Sequence, residues 1–113
     1  MVIKEGYKIL YRYRKFLYSL SFVYEDYKIV RYRKDRWVGR PKKCGPLAVF
    51  NTKLDVNNFL IDSYNNYNDI KVYRVKYIPS KIDYLYDHIN KRFCLPPGTC
   101  LAEKIYLLED ING

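Results

Sequence analysis

The sequence has little of what familiar site chemistry requires. It holds one histidine, one tryptophan, one methionine, three cysteines and five glycines in 113 residues. Neither G-x-x-x-x-G-K-S/T nor G-x-G-x-x-G occurs, which excludes the two common phosphate-cradling loops. A Ser–His or Cys–His device would have to use His88, and no G-x-S-x-G surrounds a serine. The odd cysteine count (Cys44, Cys94, Cys100) is too sparse for a disulfide framework, so these residues read as reduced thiols, although spacing alone also permits a Cys94–Cys100 bridge. No apolar run approaches the roughly 20 residues that span a bilayer. The opening Met1 to Gly6 lacks an uninterrupted signal-peptide core. The expected location is therefore the cytoplasm, with no membrane partner.

What is abundant is aromatic and basic. Fourteen tyrosines are present and the hydrophobic fraction is 49%. Bulk disorder requires the opposite composition. The length fits one compact domain over residues 1–113, able to bury roughly two-thirds of its unfolded surface. The net charge of +9 is unevenly distributed. Residues 1–43 carry 13 Lys and Arg against four acids, a surplus of nine, whereas residues 44–113 carry eight of each. Such an asymmetry points to an anionic partner for the first third of the chain.

Hydrophobic alternation outlines the elements. Tyr7 to Arg14 (Y-K-I-L-Y-R-Y-R) sets Tyr7, Ile9, Tyr11 and Tyr13 on one face against Lys8, Arg12 and Arg14, which predicts a half-buried strand. Segments 16–24 and 27–33 read as two further strands, joined too tightly for parallel crossovers, so an antiparallel meander is expected. Residues 34–45, with Gly39, Pro41 and Gly45, read as a loop with Trp37 embedded in it. Leu47 to Phe50 reads as a short buried strand. Thr52-Lys53-Leu54-Asp55 has capping-box spacing, and Leu54, Phe59 and Leu60 follow at helical intervals, predicting a helix near 53–64. Asn65 to Asp69 is a turn. Ile70 to Ile78 alternates cleanly as a strand. Residues 81–90 fit a short helix without excluding a strand, 95–99 turn sharply, and 101–108 form a last strand, either whole or in two pieces. The expected class is α+β: a mostly antiparallel sheet with one main helix packed on one face.

Candidate chemical groups are few. His88, Cys94 and Cys100 are separated by five residues each, unlike the short pairs that zinc sites favour, so no metal is expected. Cys44 lies beside Lys42 and Lys43, a setting that lowers a thiol pKa, yet it reads as an incidental loop thiol. Gly39 to Gly45 is a basic loop able to hold an anion or simply to be solvated. Arg12, then Tyr18-Ser19, then Glu103 or Glu109 resembles the Arg/Ser/Glu order of ADP-ribosyltransferases, an analogy at the level of fold. No catalytic residue and no cofactor is assigned.

The strongest functional signal is a basic-aromatic stripe. Arg12, Arg14, Lys15, Lys28, Arg31, Arg33, Lys34 and Arg36 are interleaved with Tyr11, Tyr13, Tyr18, Tyr32 and Trp37. Cations neutralise phosphates and exposed aromatic faces stack on bases, the pairing found on single-strand binding sheets. Tyrosine packed inward with solvated Lys and Arg opposite it would produce the same pattern. The candidate contacts are Arg12, Arg14, Arg31, Arg33, Arg36, Arg40, Lys42 and Lys43, with Trp37 as a stacking group.

The ordered fragments Y-K-I-L-Y-R-Y, L-Y-S, W-V-G-R-P, G-P-L-A-V-F, Y-I-P-S and L-P-P-G-T-x-L-A resemble small uncharacterised proteins of phages and large DNA viruses, from about Tyr7 to Leu108. The resemblance implies a single domain of viral or mobile-element origin acting in a host cytoplasm, and carries no activity or site residues with it. The expectation is a non-enzymatic binding protein whose basic, aromatic-rich N-terminal strands engage nucleic acid or an acidic protein face, with the resemblance implying a viral accessory role on a host component. The alternative is a domain that sequesters or processes a nucleotide-like molecule.

Overall fold

A computed structural model describes residues 1–19, 30–40, 46–63, 69–81, 85–86, 92–93 and 97–111. In chain order the elements are β1 (Lys4–Tyr13), β2 (Phe16–Ser19), β3 (Arg31–Tyr32), β4 (Trp37–Gly39), β5 (Leu47–Phe50), α1 (Lys53–Ser63), β6 (Ile70–Pro79), β7 (Leu85–Tyr86), β8 (Arg92–Phe93) and β9 (Thr99–Asp110).

The sheet closes on itself. β1 runs antiparallel to β6 from Lys4↔Tyr77 to Tyr11↔Ile70. The other edge of β6 pairs with β9, and β9 pairs with β5 from Phe50↔Thr99 to Leu47↔Ala102. β5 then returns to β1 through the single pair Tyr7↔Phe50. These four strands form a closed barrel. Beyond the closure point, β2 and β3 extend from the C-terminal half of β1, and β4 lies along β9. The α+β class expected from sequence is thus corrected: the protein is mostly β, with α1 as the sole helix among the described residues. Alternation reports which face of a strand is buried. It does not report that a strand is paired along both edges, which is what turns a layered sheet into a barrel.

The barrel interior is lined by one side of each strand. Leu10, Leu47, Val49, Tyr73, Val75, Tyr77, Ala102, Ile105 and Leu107 pack there, with Leu17 and Tyr32 from the β2–β3 extension. Gly6 faces inward where β1 meets β5. A Cβ at Gly6 would lie 2.7 Å from the Phe50 carbonyl oxygen and 3.3 Å from the Tyr77 ring. The absence of a side chain is what lets the two backbones approach closely enough to close.

Two residues further along, Lys8 also points inward, although the strand pattern assigned it to solvent. It is 6% exposed, and its Nζ donates a hydrogen bond to the Ala48 carbonyl at 2.6 Å. The amine also lies 5.5 Å from the Tyr32 ring centroid. Among the described residues no carboxylate pairs with it. Burial lowers its pKa from the ordinary 10.5 to about 7, because a charged ammonium loses its hydration there. The same burial raises the Tyr32 phenol, whose hydroxyl has no hydrogen-bond partner among the described residues. Burial, then a hydrogen bond to Cys100, pushes Tyr77 up to about 12.

Helix α1 covers the outside of the barrel. Val56, Phe59 and Leu60 pack on Tyr7, Ile9, Phe50, Ile70 and Val72, the outward residues of β1, β5 and β6. Leu54, expected on the buried stripe, is 66% exposed, and Val56 anchors the helix instead. The N-cap half of the capping box forms: the Asp55 N–H donates to Thr52 Oγ1 at 3.1 Å, while that hydroxyl, rather than the Thr52 N–H, donates to the Asp55 carboxylate at 2.7 Å. Gly98, with φ of 81°, lies against Asp55, so close that a Cβ there would overlap its carboxylate.

Residues 34–45, expected to be a loop, include β4, because Val38 packs against the core and the Trp37 ring leans on Tyr106 of the partner strand. The last strand is continuous over 12 residues. Within 81–90, Leu85 and Tyr86 pair with Phe93 and Arg92 as a small separate sheet. Residues 82–84 and 87–90, with residues 20–29, lie outside the described residues.

Two outcomes are expected. Gly6→Ala forces the Phe50 backbone to move and should cost about 1–3 kcal/mol, measured as a lower urea midpoint at unchanged slope. For Lys8, the folded-state pKa lies below the unfolded one. Between pH about 7 and 10.5 the unfolded chain therefore binds more protons, and stability rises with pH through that window. The gain from pH 7 to pH 9 should be about 2 kcal/mol. Tyr32 and Tyr77, with raised values, reverse the trend above roughly pH 10. Lys8→Met should be more stable at pH 7 and lose the rise, as thermal melts across this range will show.

Candidate nucleic-acid interface

The site begins with the β1–β2 hairpin. Its register pairs Tyr13↔Phe16, Arg12↔Leu17 and Tyr11↔Tyr18, and β3 extends the rows with Leu17↔Tyr32 and Tyr18↔Arg31. Residues paired across antiparallel strands share a face. Leu17 and Tyr32 are core residues, so Arg12 belongs to the inward row. It escapes burial because it lies at the open end of the barrel, where it is exposed. The outward rows hold Tyr11, Tyr13, Phe16, Tyr18 and Arg31. Tyr13 is 51% exposed. Helix α1 covers Tyr7 and Ile9 on this outer face and stops short of Tyr13.

Cations are laid on these rings. The Arg31 guanidinium sits 3.9 Å from the Phe16 ring centroid, Lys15 Nζ 5.9 Å from the same ring, and Arg14 5.4 Å from Tyr13. Phe16 and Tyr18 meet edge to face at 6.4 Å. The hairpin turn consists of Arg14 and Lys15 alone, and Arg14 takes φ of 57°. This left-handed conformation favours glycine, and an arginine bears a cost of about 1 kcal/mol there.

A second basic turn joins the first. Because β3 is antiparallel to β2, its C-terminal end points toward the Arg14-Lys15 turn. The following residues, Arg33, Lys34, Asp35 and Arg36, are all exposed. Asp35 makes the bend with φ of 62°, a conformation Asp tolerates better than most residues. Lys34 Nζ reaches over the Tyr73 ring at 5.9 Å, across the end of the barrel. Arg12, Arg14, Lys15, Arg33, Lys34 and Arg36 therefore gather at one barrel end. Among the described residues the carboxylates of this end are Asp35, Asp69 and Asp110, fewer than the cations, while Glu109 is engaged by Arg74 at 2.7 Å. None of Arg12, Arg14, Arg33 and Arg36 forms an ion pair with a described carboxylate.

The remaining sequence candidates divide. Trp37 lies on a neighbouring face, in a row with Tyr106 and Lys76. Its ring meets Tyr106 at 5.5 Å, and Lys76 Nζ lies 4.5 Å from the Tyr106 centroid and 5.6 Å from that of Trp37. Arg40 is at the far end of β4, ion-paired to Glu103 at 2.8 Å, and so is removed from the cluster. Lys42, Lys43 and Cys44 lie outside the described residues. Tyr32, counted in the aromatic stripe, is buried. Phe16 was missing from that stripe, although the two-residue turn at Arg14-Lys15 implies its pairing with Tyr13.

With Glu103 as its third member the ADP-ribosyltransferase-like trio is spread apart: Arg12 lies at the basic end, Glu103 is held by Arg40 beside Pro79 at the other, and the Ser19 hydroxyl accepts a hydrogen bond from the Val30 N–H at 2.8 Å. The alternative Glu109 lies at the basic end, ion-paired to Arg74. No group of three potential metal ligands exists among the described residues; His88 and Cys94 lie outside them. Among the described residues no helix is long and apolar enough to cross a membrane. No family model, curated protein or solved structure matches the chain.

Relieving the turn gives a direct test of whether Arg14 is kept for folding. Arg14→Gly should raise stability by up to about 1 kcal/mol, read as a higher thermal midpoint. A fall would show that the Arg14–Tyr13 contact stabilises more than the turn conformation costs.

Proposed function

We propose that the protein is a non-enzymatic nucleic-acid-binding module that uses its basic barrel end. The observation that supports this reading is the meeting of two turns, Arg14-Lys15 and Arg33 to Arg36, with Arg12 beside them, at an end where, among the described residues, cations outnumber carboxylates. Phosphate neutralisation by such cations releases counterions and makes binding fall steeply with salt. Aromatic rings beside the cations favour nucleic acid over an acidic protein face, which would need only the charge. A cytoplasmic location belongs to the same proposal, as does the viral accessory role implied by the resemblance of segments such as G-P-L-A-V-F, which rests on residue pattern alone.

The test is the slope of log affinity against log salt for a labelled oligonucleotide. Arg33→Ala and Arg14→Gly should each weaken binding and reduce the slope by about 1. Arg40→Ala, outside the cluster, should leave it unchanged. Binding insensitive to salt sinks the electrostatic reading. Equal effects from Arg40 and Arg33 would place the contact elsewhere.

A further inference from the structure

The outer face of β1–β2–β3 carries more than charge. Its rings are not buried partners of the core. They stand outside the barrel, apart from the residues α1 packs on, and cations lie over two of them, Tyr13 and Phe16. Tyr11 and Tyr13 are two strand steps apart, a separation of about 6.7 Å. Across the hairpin, Phe16 and Tyr18 repeat the spacing in the partner strand. Arg31, at 3.9 Å from the Phe16 centroid, extends that aromatic surface with a planar cation.

Resting on the nucleic-acid reading above, we infer that this face takes single strands, with unpaired bases stacking on Tyr13 and on the Phe16–Arg31 pair while the backbone follows Arg14, Lys15 and Arg33. The reason is geometric. In a duplex the flat faces of the bases are already stacked on one another about 3.4 Å apart, and only edges and phosphates are presented. Rings spaced at about twice that distance along a strand engage bases that have been separated. A duplex would use the basic turns and leave Tyr13 idle. An acidic peptide would do the same.

The experiment uses the full chain and anisotropy of a labelled oligothymidylate of about 12 nucleotides, a length within the range for a small β-barrel module. Three competitors are likewise polyanions: an abasic oligomer of equal length, a duplex with the same number of phosphates, and polyglutamate. The expected result is at least tenfold weaker competition by all three. Tyr13→Ala should weaken oligothymidylate binding about tenfold, within the range for one stacked base, with an unchanged salt slope, and Tyr13→Phe should restore it. Thermal melts of both variants check that the exposed position leaves the fold intact. An abasic oligomer that competes equally overturns stacking and leaves the electrostatic reading standing. Better competition by the duplex overturns the single-strand assignment, and equal competition by polyglutamate replaces nucleic acid with an acidic protein face. If oligothymidylate does not bind at low salt, the proposed function itself fails and this inference falls with it.

Discussion

The barrel depends on one close approach, the meeting of β1 and β5 at Tyr7 and Phe50 beside a side-chain-free Gly6. The pairs of β6 with β1 and with β9 are long and would form an open three-stranded sheet by themselves. The single paired position between β1 and β5 converts that sheet into a ring and gives the core an inside, while the outer face is divided between α1 and the rings of the β1–β2 hairpin. Just past it β1 parts from β5 and takes β2 as its neighbour. The Lys8 amine reaches back to the Ala48 carbonyl at this divergence. A lysine is a poor choice for an interior by transfer energy alone, but its long stem packs among apolar groups while its amine satisfies a carbonyl of the departing strand.

The same divergence creates the candidate interface. Because β1 outruns the barrel, its last residues and the β2–β3 extension stand at one end with both faces changed in character. The inward row ends in exposed Arg12, and the outward row ends in rings that α1 leaves uncovered. Sequence asymmetry becomes spatial asymmetry through two bends, at Arg14 and Asp35. Each adopts a left-handed conformation without glycine, and both project cations toward the same side.

Much of the element plan was legible. The alternation of Ile70 to Ile78, the L-A-V-F run and the Thr52–Asp55 cap each correspond to an observed element, because each is a local pattern with a local physical cause. Ring closure was not legible, since it depends on which edges meet across more than 40 residues of chain. The period-two rule also misled at Lys8. It separated the two faces of β1 correctly, but the face it assigned to solvent is the barrel interior. Trp37 was misplaced for a related reason. Its segment looks like a polar loop, and only the partner strand β9 makes three of its residues a strand. Of the basic candidates, Arg12, Arg14, Arg31, Arg33 and Arg36 are brought near one another, whereas a carboxylate distant in sequence, Glu103, withdraws Arg40.

Strand order also bears on how such a chain comes off the ribosome. β6 lies between β1 and β9, and β5 has β9 along one edge, so neither the ring nor its interior exists until residues near Asp110 are available. Earlier strands would wait with an unpaired edge on β6 and an exposed inner face. Synthesis proceeds at a few residues per second to about 20, leaving that edge open for seconds and making it a natural target for a chaperone or for mispairing with another nascent copy.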